Sequence, residues 1–247
     1  MNTLIKLEIA RTLRNKKFMF FSVIYPAGLY LMIAGGASTT EIVQGTGLTL
    51  PLLMMVSMAS FGAITAVLVG NSERIAKERE KGWVRQLRLT ALPGRGYVTA
   101  KVASAAVVSL PSILVVFLVA VLVKDVRMGA AWQWFALVGA IWAGSIVFAA
   151  LGVAVGYLAT GDAVRPITMI IYFALSMLGG LWMPTTTFPT WLQKVAEWTP
   201  TYAYAGLGRS IEQANAPEMK HVALLAVYLL VFAGMAAWLY RKDTRKS

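Results

Sequence analysis

The chain has 247 residues, 58% hydrophobic and 14% charged, where an ordinary soluble domain carries about 25% charge, so a water-soluble globular domain is excluded and an integral membrane protein expected. A net charge of +12 would suggest nucleic acid in a soluble chain, but here the basic residues fall mainly between apolar runs and act as an orientation signal, so no nucleic-acid partner is expected. The absence of cysteine excludes disulfides, thiolate nucleophiles and cysteine metal sites.

In the leader, 1–17, Met1, Ile5, Ile9 and Leu13 recur every fourth residue while Lys6, Arg14 and Lys17 point elsewhere, which predicts an amphipathic helix lying in the membrane interface. A cleaved signal peptide is the competing reading, because Lys16 and Lys17 precede an apolar run that ends in small residues near Ala37. The length of the leader, its own helical pattern and the later spans weigh against it. The first span is predicted over 18–35, kinked or loosened by Pro26, and a short outer loop with Glu41 leads to a second span over 48–70.

The interval 71–101 is the longest charged stretch, with Arg74, Lys77, Arg79, Lys81, Arg85, Arg88, Arg95 and Lys101. It is expected to stand in water as a cytoplasmic loop. Within it Glu73 to Leu89 reads as helix, broken by Pro93 and Gly94. Ile75, Trp83, Val84 and Leu87 leave most of its surface charged. The residues allow two readings: a solvated helix that keeps lysine and arginine inside, or a docking element for another protein.

A third span follows over 102–123 with Pro111 near its middle, then a short outer turn holding Lys124, Asp125 and Arg127, and a fourth span over 134–158. Gly152 and Gly156 have the spacing that lets two helices approach closely. A brief inner loop with Arg165 leads to Pro166 and a fifth span over 166–182; the sixth is placed at 222–240, before a tail with Arg241, Lys242, Arg245 and Lys246. Basic residues in alternate loops and at both ends place both termini in the cytoplasm, which requires an even number of spans.

Between the fifth and sixth spans, 183–219 is too long for a turn, and prolines at 184, 189 and 200 forbid one continuous helix. Short helical pieces are expected. Trp191, Leu192, Val195 and Trp198 share one face and Tyr204, Leu207 and Ile211 another, which suits either an aromatic belt at the outer boundary or a functional cap.

An ion-driven pump needs carboxylate, histidine or basic residues within its spans. The five predicted cores before the sixth span hold none, and the single histidine, His221, sits beside Lys220 at a span edge. There is no GxxxxGK[ST] loop, so a nucleotide site would have to belong to a partner. HExxH and GxSxG are also absent, so no catalytic residue, metal site or cofactor of the chain's own is expected.

Taken together, the basic leader, the segment KEREKGWVRQLRLTALP, the stretch GGLWMPTTTFPTWLQKVAEWTPTYAYAGLGRS and the basic tail resemble the ABC-2 type permeases, membrane subunits of ATP-binding-cassette exporters. The resemblance covers essentially the whole chain as one transmembrane domain, 1–247. It implies an all-α membrane protein of six transmembrane helices with an N-terminal interfacial helix, a cytoplasmic coupling helix between spans two and three, and extracellular re-entrant helices between spans five and six.

On this resemblance Glu78, Arg79, Glu80 and Gly82 match the start of the coupling element. Trp83, Leu87, Thr90, Leu92 and Pro93 continue it, with Ala91 where the family's turn has proline. Gly179, Gly180, Trp191, Trp198, Tyr202 and Tyr204 would belong to the outer cap or gate. The implied partners are two copies of an ABC ATPase that bring ATP and Mg, a second permease, identical or related, and the lipid membrane. The implied function is export of an amphipathic drug, antibiotic or lipid-like molecule. Polysaccharide or lipid-linked glycan export by the same family is the alternative, followed by an ATP-independent secondary transporter.

Overall fold

The computed structural model describes residues 2–43, 45–82, 94–159 and 161–245. Helix α1 (Asn2–Leu13) precedes α2 (Lys16–Ala34), α3 (Leu50–Glu80) and α4 (Gly94–Lys124). Then come α5 (Ala131–Leu158), α6 (Val164–Leu178), the short α7 (Thr190–Ala196), α8 (Pro200–Glu212) and α9 (Met219–Arg245). Six stretches are long and apolar enough to cross a membrane: α2 to α5, α6 together with the turn Gly161–Ala163 that leads into it, and α9. The described structure is helical apart from one isolated bridge, Ile42 to Thr49.

The apolar content of α3 explains its place. Met54, Met55, Met58, Phe61, Ile64 and Leu68 are all buried, and α2, α4, α5, α6 and α8 pack around it. The other long contact surface belongs to α5, which packs on α3, α4, α8 and α9. Gly152 and Gly156 set the α3–α5 approach: a Cβ at Gly152 would stand 2.8 Å from the Leu68 carbonyl oxygen, and one at Gly156 2.8 Å from Ile75 Cβ. By contrast α6 and α9 present Ile170, Phe173, Val227, Leu230 and Val231 outward, as helices facing lipid or a second subunit do.

Helix ends depart from the hydropathy reading for local reasons. α3 runs ten residues past the apolar stretch that ended at Gly70, because Asn71, Ser72, Ile75 and Ala76 are buried against its neighbours. It stops at Lys81 and Gly82, whose φ of +67° suits glycine; the rest of the helix expected to Leu89 lies outside the described residues. Gly94 opens α4. The fifth span ends at Leu178, four residues early, because Gly179 and Gly180 close it; Gly180 has φ +72°, and Leu181 N–H donates to the Ser176 carbonyl at 3.1 Å.

Two helices widen into a π-turn, Phe20–Ile24 in α2 and Thr65–Val69 in α3. The first precedes Pro26, which has no N–H to give and whose ring crowds the carbonyl four residues back. At the second, the Thr65 hydroxyl donates to the Phe61 carbonyl at 2.9 Å, while Tyr172 of α6 donates to the same carbonyl at 3.2 Å. The two π-turns lie against each other.

Candidate functional site

At the charged end, Lys101 of α4 lies between Glu8 of α1 and Glu78 of α3, its Nζ 2.8 Å from Glu8 Oε1 and 2.6 Å from Glu78 Oε1. All three side chains are buried, and Lys101 is only 1% exposed. Arg74 adds a longer contact to Glu8 at 3.5 Å and hydrogen-bonds the Thr12 hydroxyl, and Arg11 reaches Glu78 at 3.7 Å. The interval from Arg74 to Lys101 is thus not all in water. The inward side of α1 is also unlike the expected one: Glu8 and Thr12 are buried, while Leu13 is exposed.

One turn on, Arg79 Nη1 donates to the carbonyls of Gly156, Tyr157 and Ala159 at 3.0, 3.1 and 3.2 Å, which caps the C-terminus of α5. Its Nη2 lies 2.5 Å from Asp243 Oδ1 and its Nε 3.2 Å from Oδ2, a two-pronged pair with α9. The guanidinium also sits 5.2 Å from the Tyr157 ring centroid. Glu80 lies against Gly161, where a Cβ would fall 2.0 Å from its Oε1. Of the residues matched to a coupling element, Glu78 and Arg79 therefore point into the helix bundle, and Glu80 leans on the loop before α6. Gly82 marks the turn after them. Trp83, Leu87, Thr90, Leu92 and Pro93 lie outside the described residues.

Beside this cluster opens a cavity of about 590 Å³ between α1, α2, α3 and α6. Its polar side carries Arg11, Lys17, Glu73, Arg74, Lys77 and Arg165; its apolar side carries Phe18, Phe21, Tyr25, Phe61, Tyr172 and Phe173. Phe21 of one π-turn and Thr65 and Val69 of the other line it. Such turns commonly occur at functional positions in helices. Sequence reading treated these cations as leader and loop charge and missed the cavity, because its walls come from four separate segments.

At the opposite end, the residues assigned to an outer cap divide into two kinds. Trp191 and Trp198 are exposed, at 66% and 65%. Trp198 takes a hydrogen bond on its carbonyl from Tyr228 of α9 at 2.8 Å. Tyr204 is buried, not at a boundary: its hydroxyl donates to the Ile141 carbonyl at 2.8 Å, and its ring fills the space left by Gly144 beside Phe148. Leu207 and Ile211 share its inward face. Tyr202 is half-buried against the His221 ring.

Gly179 lets Thr201 approach, with the Thr201 hydroxyl donating to the Leu175 carbonyl at 2.5 Å, and Gly180 gives its carbonyl to Arg209 Nη2 at 2.9 Å. Glu212, on the last turn of α8, was not singled out from the sequence. It is buried, and neither carboxyl oxygen has a hydrogen-bond partner among the described residues. Burial pushes its carboxyl well above the usual carboxylate range, a shift only partly opposed by Arg209, whose own guanidinium burial pulls downward.

Six span-length helices with a charged, inward-tied end and a broken segment before the last helix are an arrangement that comparison with known proteins can place. A family profile described as "ABC-2 family transporter protein" matches residues 34–238. The chain belongs to the ABC-2 transporter family. It is also 28% identical, over 98% of its own length and 99% of the other's, to a protein of Bacillus subtilis (strain 168) that bears the provisional name transport permease YvfS. ABC-2 permeases are multi-pass membrane transport subunits that normally work with an ABC ATPase.

Proposed function

We propose that this chain is the permease subunit of an ATP-driven exporter, with its charged end in the cytoplasm and the segment 81–93 docked on a separate ATPase. The observation that carries the reading is the attachment of that segment. It follows directly on α3, and Glu78 and Arg79 tie the last turn of α3 to α1, α4, α5 and α9. A displacement imposed there acts on five helices at once. ATP and Mg would be held by the ATPase, and the substrate path would form between two permeases, identical or related.

The cavity volume falls within the range of sites for drug-sized ligands, roughly 300–1,000 Å³, which favours an amphipathic small molecule over a polymer. Trp191 and Trp198 would shape the exit, while Tyr204 holds α8 to α5. The concentration of lysine and arginine at one end supports the orientation. Since the chain has no cysteine, single cysteines at exposed Thr39 and Thr187 should label from outside intact cells, and those at Lys81 and Asp162 should not. Coupling is tested by reconstituting the permease with its ATPase and replacing Gly82 by Trp. The variant is expected to insert and fold yet lose substrate-stimulated ATP hydrolysis; unchanged ATPase binding and transport would overturn the docking assignment.

A further inference from the structure

We propose that the cavity between α1, α2, α3 and α6 takes the head of an anionic amphiphile, a phosphate, sulfate or carboxylate carried on an apolar body. This deepens the export reading and rests on it only for the direction of movement. Five cations line the cavity, Arg11, Lys17, Arg74, Lys77 and Arg165, against one carboxylate, Glu73. Glu73 is shared between Arg165 at 3.5 Å and Lys77 at 3.8 Å. Adding the charges immediately behind, Glu8, Glu78 and Lys101, leaves six cations facing three carboxylates. A positive excess of that size persists whichever pairs are counted.

The excess alone would serve membrane orientation. What points to a ligand is Arg74, the cation at the boundary between the basic and aromatic sides. Its Nε donates to the Gly70 carbonyl at 3.1 Å and its Nη1 serves Glu8 and Thr12, but the buried Nη2 has no hydrogen-bond partner among the described residues. A buried guanidinium donor without an acceptor is unfavourable, and an incoming oxyanion relieves it. The group is held in place: Arg74 lies over the Phe18 ring, 5.9 Å from its centroid, and Gly70 leaves room for both, since a Cβ there would stand 2.8 Å from that ring and 3.4 Å from Nη2.

Further in, the walls offer aromatic rings and two hydroxyls, Thr65 and Tyr172, whose protons are already given to the Phe61 carbonyl. Among the described lining residues, Arg74 Nη2 is the one buried side-chain donor left without a partner. An uncharged or cationic head would leave it so. An anionic head with an apolar tail among Phe21, Phe61 and Tyr172 satisfies both sides of the cavity. The same chemistry is presented by an anionic phospholipid of the bilayer and by a free exported amphiphile.

The test uses the permease–ATPase complex in discs of zwitterionic lipid, labelled by a photoreactive decyl phosphate and competed with decyl phosphate, decyl maltoside or decyltrimethylammonium. Labelling should fall on peptides holding Phe61 and Tyr172, and decyl phosphate should compete about tenfold better than the trimethylammonium compound. Arg74→Gln should abolish that preference while leaving competition by the maltoside unchanged. Because Arg74 also touches Glu8 and Thr12, the rim variant Lys17→Gln with Arg165→Gln provides a second check and should reduce the preference severalfold.

Equal competition by anion and cation, or a preference that survives in both variants, overturns the proposal. If added anionic phospholipid removes the labelling and ATP does not move the probe, the head is the bilayer's; if labelling persists and ATP carries decyl phosphate across proteoliposomes, it belongs to the cargo. Preferential labelling with no ATP-driven movement of any probe counts against export and leaves the anion site standing. ATP-driven movement of the trimethylammonium compound without anion preference does the reverse.

Discussion

At the charged end Glu8, Glu78 and Lys101 leave water together, each carboxylate within hydrogen-bond distance of the shared ammonium, whereas at the opposite end Glu212 is buried with neither oxygen bonded among the described residues. In the first region the buried carboxylates are met by cations, Lys101 between them with Arg74 on Glu8 and Arg11 on Glu78, and the cluster joins three helices from distant parts of the chain. In the second, burial favours the protonated acid, with Arg209 opposing it only in part. The first region is fixed by its ions. The second is held by shape, by Tyr204 against Gly144 and Thr201 against Gly179, and carries a group that disfavours its own charge.

The contrast is broken most forcefully at Lys101. Lys101→Met leaves two buried carboxylates without their common cation and should cost about 3–5 kcal/mol, read as a loss of folded protein by fluorescence-detected thermal unfolding in detergent. Replacing Glu8 and Glu78 by Gln in the same chain should recover most of that loss. A stable Lys101→Met single variant would show that the cluster is not what fixes this end.

Arg79→Gln is expected to be milder, about 2–3 kcal/mol, because it removes charged hydrogen bonds to three carbonyls and Asp243 but leaves no carboxylate fully buried. Hydrogen exchange should then rise at the last turn of α5 and the end of α9, with α8 unaffected.

At the opposite end the expected effect is one of pH. A carboxyl raised above its ordinary value of 4.5 in the folded chain holds a proton that the unfolded chain releases, so folding loses stability as pH rises from 4.5 toward the folded value. Glu212→Gln should match the wild type in acid and exceed it in stability at higher pH. Parallel pH curves for the two proteins would show that Glu212 is ionised and paired in the folded state. The smallest effect is expected at Trp191→Ala, within about 0.5 kcal/mol, since that ring is largely exposed; a change in which substrates move, with folded protein unchanged, would mark the exit.

The spans were legible because about 20 uncharged residues in a row have few other fates, and the helix-breaking prolines and glycines of 183–219 gave its short pieces. The sequence also carried the Gly152 and Gly156 spacing that brings α5 onto α3. The ion cluster was not legible: Glu8, Glu78 and Lys101 come from three separate helices, and local patterning shows each only as one more charge near a span end. Charge counting therefore put Lys101 in water. Tyr204 failed for a related reason. Its helical face with Leu207 and Ile211 was readable, but whether that face meets lipid or Gly144 depends on a helix 60 residues earlier.

Helix α3 has 31 residues, which makes a shaft of about 46 Å, half again as long as a hydrocarbon core of about 30 Å. Its wider turn at Thr65–Val69 divides it into two arms, the lower of which, Gly70–Glu80, is about 16 Å long. A tilt of about 10° at that joint would swing the tip at Glu80 by about 3 Å, carrying Glu78, Arg79 and everything fastened to them. The joint also forms part of the cavity wall, so the same swing would change the width of the chamber at its fulcrum. On the proposed reading α3 would work as a lever whose pivot forms part of the cavity wall.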